Sequence, residues 1–311
     1  MTAVTARVPA KVNLQLSVGP PGADGYHDLV TVFHALALFD EVTVTSADTD
    51  SVVVTGEGAS SVPADGSNLA ARAVAALVDV VGPGVRDAPG LAIEIRKRIP
   101  VAAGLAGGSA DAAGALVACN ELWGAGLSQQ ELADVAAKVG SDVGFALLGG
   151  TAVGLGRGDR VTPALAAGTY HWVLAFAAEQ LSTPAVYAAC DRLRAGRSAP
   201  TTAPQLNTAL MAALRSGDPV ELGPLLSNDL QPAAVSLLPR LRQALAAGRE
   251  HGALGAIVSG SGPTCAFLAR DGAHARDLAV ALAGAGVCRT VASVSGPAPG
   301  ATVISVPSTR A

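Results

Sequence analysis

The chain has 311 residues, 50% of them hydrophobic and 15% charged, with a formal net charge of -4. That composition excludes a disordered chain, and the acidic balance argues against a nucleic-acid binder, whose phosphate contacts ask for a basic excess. The apolar fraction comes largely from Ala and Val, no uninterrupted apolar run reaches the roughly 18 residues of a membrane span, and residues 1–10 lack a basic start followed by an apolar stretch, so a cytoplasmic location is expected.

The length admits two domains with a cleft between them. At the start of the chain, Val12, Leu14, Leu16 and Val18 share one parity while Lys11, Asn13, Gln15 and Ser17 share the other, which predicts a strand that points Lys11 and Asn13 the same way. A turn cluster at residues 20–25 leads into Tyr26-His27, an apolar run to Leu38 and a further strand around Val42 and Val44. Asn68 stands before an Ala/Val-rich helix that ends near Gly82. Leu91, Ile93 and Ile95 alternate as a half-buried strand, and residues 112–123 are rich in helix formers. Ser128 and Glu131 form a capping box for a helix that stops at Gly140, directly before Ser141-Asp142-Val143. A Gly-rich strand and turn over residues 149–159 precede the expected boundary. The domains are therefore expected at 1–163 and 164–295, the second being mixed α+β, with a peripheral Pro- and Gly-rich tail at 296–311. In the second half, residues 204–216 are expected to be helical, and a strand is expected over 287–294. Cys119, Cys190, Cys265 and Cys288 are widely spaced without metal-ligand spacing, so reduced thiols rather than a zinc site are expected.

Between the strand and the helix lies the most telling stretch, Pro100-Val101-Ala102-Ala103-Gly104-Leu105-Ala106-Gly107-Gly108-Ser109-Ala110-Asp111. A loop almost free of side chains, feeding a helix start, presents unpaired N–H groups at the positive end of the helix dipole and suits a phosphate. It is not a Walker A loop, since no Lys follows the glycines, and it lacks the G-x-G-x-x-G spacing of dinucleotide folds. Its plain alternative is an ordinary strand-to-helix turn.

Three segments, Pro9-Ala10-Lys11-Val12-Asn13-Leu14, the loop above and Ser259-Gly260-Ser261-Gly262-Pro263-Thr264, occur in the order found in the GHMP kinases, which the chain resembles over nearly its whole length. Within that family, Gly25-Tyr26-His27, the Gly-Gly-Ser form of the loop, Gly140-Ser141-Asp142-Val143 and Asn228-Asp229-Leu230 are similar to the branch that phosphorylates a cytidine diphosphate-linked polyol on the non-mevalonate route to isoprenoid precursors. The resemblance implies a two-domain α+β fold, with an N-terminal domain like the second domain of ribosomal protein S5 and a ferredoxin-like C-terminal domain. It also implies ATP and Mg²⁺, with the metal held mainly by ATP phosphates and water.

The same resemblance assigns residues. Asp142 matches the family's catalytic Asp, its general base, and Lys11 the lysine that contacts it, although from the residues alone Asp142 reads as a helix cap. The loop from Pro100 to Ser109 would cradle the phosphates, with Ser109 able to meet a phosphate or Mg²⁺. Ala106 departs from the Gly or Ser more usual there, and its methyl narrows the approach. Asn68 and Lys97 match positions near adenine and phosphates; a helix cap and a solvated strand-end charge are their plain alternatives. Asn13 would bond the polyol, Tyr26 and His27 would recognise the cytosine, Tyr187 would close its other face, and Thr183 would supply a substrate-side hydroxyl. Core packing competes for Tyr187 and helix entry for Thr183. The Gly-rich segment at 259–264 would close over the cleft from the second domain. Gly25-Tyr26-His27 separates this branch from kinases of homoserine, mevalonate or sugars, whose acceptors carry no pyrimidine. A non-catalytic nucleotide sensor would not need both Lys11 and Asp142.

Overall fold

A computed structural model describes residues 2–196 and 202–305. Strands β1 (Ala3–Pro21) and β2 (His27–Ala47) form a long antiparallel hairpin closed by the turn at residues 22–26. Where the sequence suggests two strands after Tyr26, the chain runs as one, and the interruption is a register shift at Pro9/Ala10, where proline has no N–H to give the ladder.

The chain continues through β3 (Ser51–Gly56), α1 (Leu69–Val81), β4 (Gly90–Lys97), α2 (Gly107–Leu122), α3 (Gln129–Val139), α4 (Val143–Leu148), β5 (Thr151–Gly156) and β6 (Arg160–Pro163). Helix α2 lies against the hairpin, and the space is tight: a Cβ on Gly114 would stand 2.8 Å from a Val42 methyl and 2.9 Å from a Val8 methyl. This close approach explains why α2 is rich in Ala and Gly and is buried over most of its circumference. The capping box of α3 forms as the sequence indicates, with Ser128 and Glu131 bonding reciprocally.

The second half comprises β7 (Tyr170–Phe176), α5 (Thr183–Ala195), α6 (Thr208–Ser216), α7 (Pro219–Leu222), β8 (Ser227–Asn228), α8 (Gln231–Leu237), α9 (Arg240–Glu250), β9 (Gly255–Val258), β10 (Cys265–Ala269), α10 (Gly272–Gly284), β11 (Thr290–Gly296) and β12 (Thr302–Ser305). The antiparallel order β11-β7-β10-β9, with helices in the two crossovers, is the ferredoxin-like arrangement. Alternation along β7 assigns its faces: Val173 and Ala175 pack under α5, α8, α9 and α10, while Trp172 and Leu174 join the core of the first half. The two halves thus share apolar contact behind the cleft.

The tail expectation is corrected. Residues 302–305 form β12, which pairs antiparallel with β1 (Thr5 opposite Ser305, Arg7 opposite Thr302), and Gly149 bridges Pro299. The Pro- and Gly-rich composition around residue 297 reflects a chain returning to the first sheet through a narrow passage, where a Cβ on Gly300 would meet Leu147 O at 2.1 Å. Helix α6 starts at Thr208 rather than Pro204, because Asn207 caps it by accepting the N–H groups of Ala209 and Leu210. Strand β11 likewise begins three residues later than expected. Among the described residues no helix is long and apolar enough to cross a membrane.

Candidate active site

Lys11, Asn13 and Gln15, on the polar parity of β1, are as buried as the apolar residues between them, because the second half covers them. Lys11 Nζ donates to Asn13 Oδ1 at 2.7 Å, and Asn13 Nδ2 donates to Thr31 Oγ1 at 2.8 Å. Asp142 enters from the turn before α4, its Oδ2 3.8 Å from Lys11 Nζ. It occupies the N-cap position but makes no side-chain capping bond, so the carboxylate is left for the cleft. Burial pulls the Lys11 amine below its usual pKa, and the Asp142 charge opposes that pull.

The cleft is about 600 Å³, lined by Lys11, Asn13, Asp142, Thr183, Tyr187 and the loop residues Ala102, Ala103, Gly104 and Ala106 to Ser109. Among the described residues lining it, Asp142 is the only carboxylate, and Lys11 and Arg157 are the cations. The final three loop residues, Gly107, Gly108 and Ser109, are already the first turn of α2, where N–H groups lack intrahelical partners. Leu105 turns its side chain into the core while its carbonyl accepts the Lys11 N–H at 3.2 Å. From the second half, Ser259 Oγ donates to Gly104 O at 2.9 Å and the Thr264 N–H to Ala103 O at 3.3 Å, so the third Gly-rich segment lies directly on the loop. Asn228 holds that segment by donating to the carbonyls of Val258 and Gly260, both at 2.7 Å. Ala102 and Ala106 both take positive φ, at 52° and 59°, a conformation that costs a side-chain-bearing residue about 1–2 kcal/mol.

A smaller cavity of about 280 Å³ adjoins the loop, lined by Asn68, Lys97, Pro100, Val101 and Asp111 among others. Asn68 caps α1, accepting the Ala70 N–H at 2.8 Å. Lys97 is not the solvated strand-end charge that its neighbours Arg96 and Arg98 suggest. Its Nζ is buried between Asp40 Oδ2 at 2.5 Å and Asp111 Oδ2 at 2.6 Å. Burial acts to lower the Lys97 pKa, but the two carboxylates more than offset it and raise it overall. Burial also holds Asp111 well above the usual carboxylate range, against the pull of Lys97.

At the other end of the cleft, His27 Nε2 lies 2.9 Å from Asp191 Oδ1, and its ring centroid is 5.0 Å from that of Tyr187. Tyr26 is 57% exposed, with the Arg157 guanidinium 3.8 Å from its ring centroid and paired to Asp24. Thr183 Oγ1 and Ser261 Oγ stand 2.8 Å apart across the cleft wall. Tyr26 and His27 do not line the main cavity itself; they flank it through Arg157 and Tyr187. Sequence reasoning missed Asp40, Asp111, Arg157 and Asp191, each of which meets its partner from a separate element. Among the described residues no three His, Cys, Asp or Glu side chains converge as a metal site.

Residues 68–150 match the GHMP kinases N terminal domain and residues 210–288 the GHMP kinases C terminal. The 4-diphosphocytidyl-2-C-methyl-D-erythritol kinase of Mycolicibacterium smegmatis is 57% identical over 305 residues, spanning 98% of this chain and 94% of its own. The chain belongs to the GHMP kinases. A solved 4-(cytidine 5'-diphospho)-2C-methyl-D-erythritol kinase superposes on it with a TM-score of 0.74 at 34% identity, covering 93% of this chain and 98% of the other. Homoserine kinase from Cytophaga hutchinsonii, at 20% identity and a TM-score of 0.71 over 97% of each chain, shares the GHMP kinase fold.

Proposed function

We propose that this GHMP kinase transfers the γ-phosphate of ATP to the 2-hydroxyl of 4-diphosphocytidyl-2-C-methyl-D-erythritol, a step of the non-mevalonate route to isoprenoid precursors. The observation behind the reading is near-full-length identity of 57% to a relative of that name. The GHMP fold alone is common to kinases of other acceptors.

Phosphoryl transfer asks a protein for position and charge stabilisation rather than covalent chemistry. In this reading the N–H groups of the Gly104 to Ser109 bend and the first turn of α2 hold the triphosphate, with Asn68 and Lys97 beside the nucleoside. Asp142 takes the proton of the acceptor hydroxyl. Lys11, fixed by Asn13, stays within 3.8 Å of that carboxylate and offers its charge to the hydroxyl oxygen and the transferring group. Asn13 bonds the polyol. His27, Tyr26 and Tyr187 take the cytosine, and Thr183 lines the wall between the two ends. Mg²⁺ would enter as a cation carried by the nucleotide, with Ser109 the loop hydroxyl available to hold it, and would neutralise phosphate charge. Residues 1–163 would form the ATP-binding and catalytic domain and 164–295 the covering domain.

The test is turnover of ATP with the cytidyl polyol, homoserine and mevalonate as separate acceptors. Phosphorylation of the cytidyl polyol alone is expected; preference for either of the others would overturn the reading.

A further inference from the structure

We infer that Asp40 is a positioning residue for the phosphate loop, acting through Lys97 and Asp111 to hold both stems of the loop in register. The inference rests on the reading of that loop as the nucleotide's cradle, and goes beyond it by naming what fixes the cradle's shape.

Asp40 lies on β2, fully buried, and lines neither the cleft nor the cavity beside Asn68. Its Oδ1 accepts the N–H of Arg98 at 2.6 Å and of Ile99 at 2.9 Å, the two residues by which the chain leaves β4 for the loop. Its Oδ2 accepts from Lys97 Nζ at 2.5 Å, and the same amine reaches Asp111 Oδ2 at 2.6 Å, near the start of α2. One carboxylate thus ties the entry stem directly and the exit stem through a single amine.

Stability alone does not account for this cluster. A buried amine between two carboxylates is costly to desolvate, and apolar residues of similar volume usually stabilise a fold as well or better. What the charges supply is directional geometry, and the loop between them needs it. Ala102 and Ala106 sit in left-handed conformations that relax unless both ends are held. The coupling to the cradle is close: a Cβ on Gly107 would stand 3.1 Å from Lys97 Nζ and 3.2 Å from an Ile99 methyl. Displacement of that amine is therefore felt at the first residue of α2, which lines the cleft.

The experiment compares Asp40→Asn, Lys97→Met and the double variant Asp40→Asn/Lys97→Met with the wild-type chain. ATP binding is read alone by calorimetry, KM is read for each substrate, and thermal melting monitors the fold. Asp40→Asn is expected to weaken ATP binding about tenfold or more, as a misplaced binding group does, while KM for the cytidyl polyol stays within about twofold. The double variant removes the amine left without its partner. It is expected to melt closer to wild type than Asp40→Asn and yet to bind ATP more weakly than Lys97→Met alone, because residue 40 still loosens the N–H groups of Arg98 and Ile99. Recovery of ATP binding in step with the melting temperature would show a purely structural role and overturn the inference, as would unchanged ATP binding in Asp40→Asn. Should Asp40→Asn fail to fold, the double variant, which leaves no amine without a partner, answers the same question when read against Lys97→Met. A wild-type chain that binds ATP but leaves the cytidyl polyol unphosphorylated would overturn the proposed function and leave this inference standing.

Discussion

Lys11 Nζ and Asp142 Oδ2 stand 3.8 Å apart, the amine projected from the middle of β1 and the carboxylate from the turn before α4. Burial lowers the Lys11 pKa from its ordinary 10.5, with Asp142 acting in the opposite sense. A step that needs the charged amine must then lose rate as pH rises through a value below 10.5, earlier than a solvated lysine would allow. Lys11→Arg, always charged, is expected to abolish that alkaline limb of the kcat profile even as it lowers the rate. An alkaline limb unchanged in Lys11→Arg would detach it from Lys11.

His34 is a second buried base, bonded through Nδ1 to Thr151 Oγ1 at 2.8 Å and packed against Tyr170 and Trp172 from the second half. Burial pushes its pKa down to about 3 from 6.5. As pH falls below 6.5 the unfolded chain takes up a proton that the folded chain refuses until about pH 3, so stability falls over that window. Between pH 7.5 and 5.0 the wild-type chain should lose about 2 kcal/mol more than His34→Gln in urea unfolding, at about 1.4 kcal/mol per pH unit of separation. Parallel losses in the two proteins would contradict the assignment.

Gly104 has φ 76°, and a Cβ there would lie 2.1 Å from Ser259 O. Gly104→Ala therefore has to part the loop from the segment that closes on it, besides the roughly 1–3 kcal/mol of left-handed strain. Loss of ATP binding together with a lower melting temperature is expected. Gly124→Ala is the control, since its φ of 58° carries the same kind of strain with no atom within 4 Å. It should lower the melting temperature slightly and leave ATP binding unaltered. Equal effects at both positions would show that strain alone, not the contact with Ser259, matters.

The pairing of His27 with Asp191 at 2.9 Å fixes the imidazole at the end of the cleft proposed to take the cytosine. His27→Ala is expected to raise KM for the cytidyl polyol about tenfold or more, and Asp191→Asn to raise it less, with KM for ATP unmoved in both, as loss of one charge-assisted hydrogen bond implies. Unchanged affinity for the polyol in His27→Ala would remove His27 from substrate recognition.

What was legible in the sequence follows the range of each interaction. The shared face of Lys11 and Asn13 is a parity argument along one strand, and the capping box of Ser128 and Glu131 lies within one turn, so both read directly. Asp142 reads as a cap because only the folded chain shows its carboxylate without a capping bond and near Lys11. The surroundings of Lys97 are not legible in the sequence because Asp40 lies 57 residues upstream, on a strand whose pairing no local pattern reveals. Asp191 meets His27 across 164 positions. Around residue 297, Pro and Gly resemble a loose end locally, while β12 is defined only by its partner β1.

The most direct measurement is single-turnover phosphoryl transfer from ATP to 4-diphosphocytidyl-2-C-methyl-D-erythritol by the wild-type chain and by Asp142→Asn, with ATP binding measured alongside. Removal of a general base predicts a loss of about 10²- to 10⁴-fold in the transfer rate with ATP affinity within about twofold of wild type. Transfer at the wild-type rate in Asp142→Asn, or equal loss of ATP binding and transfer, would contradict the role given to the Lys11–Asp142 pair.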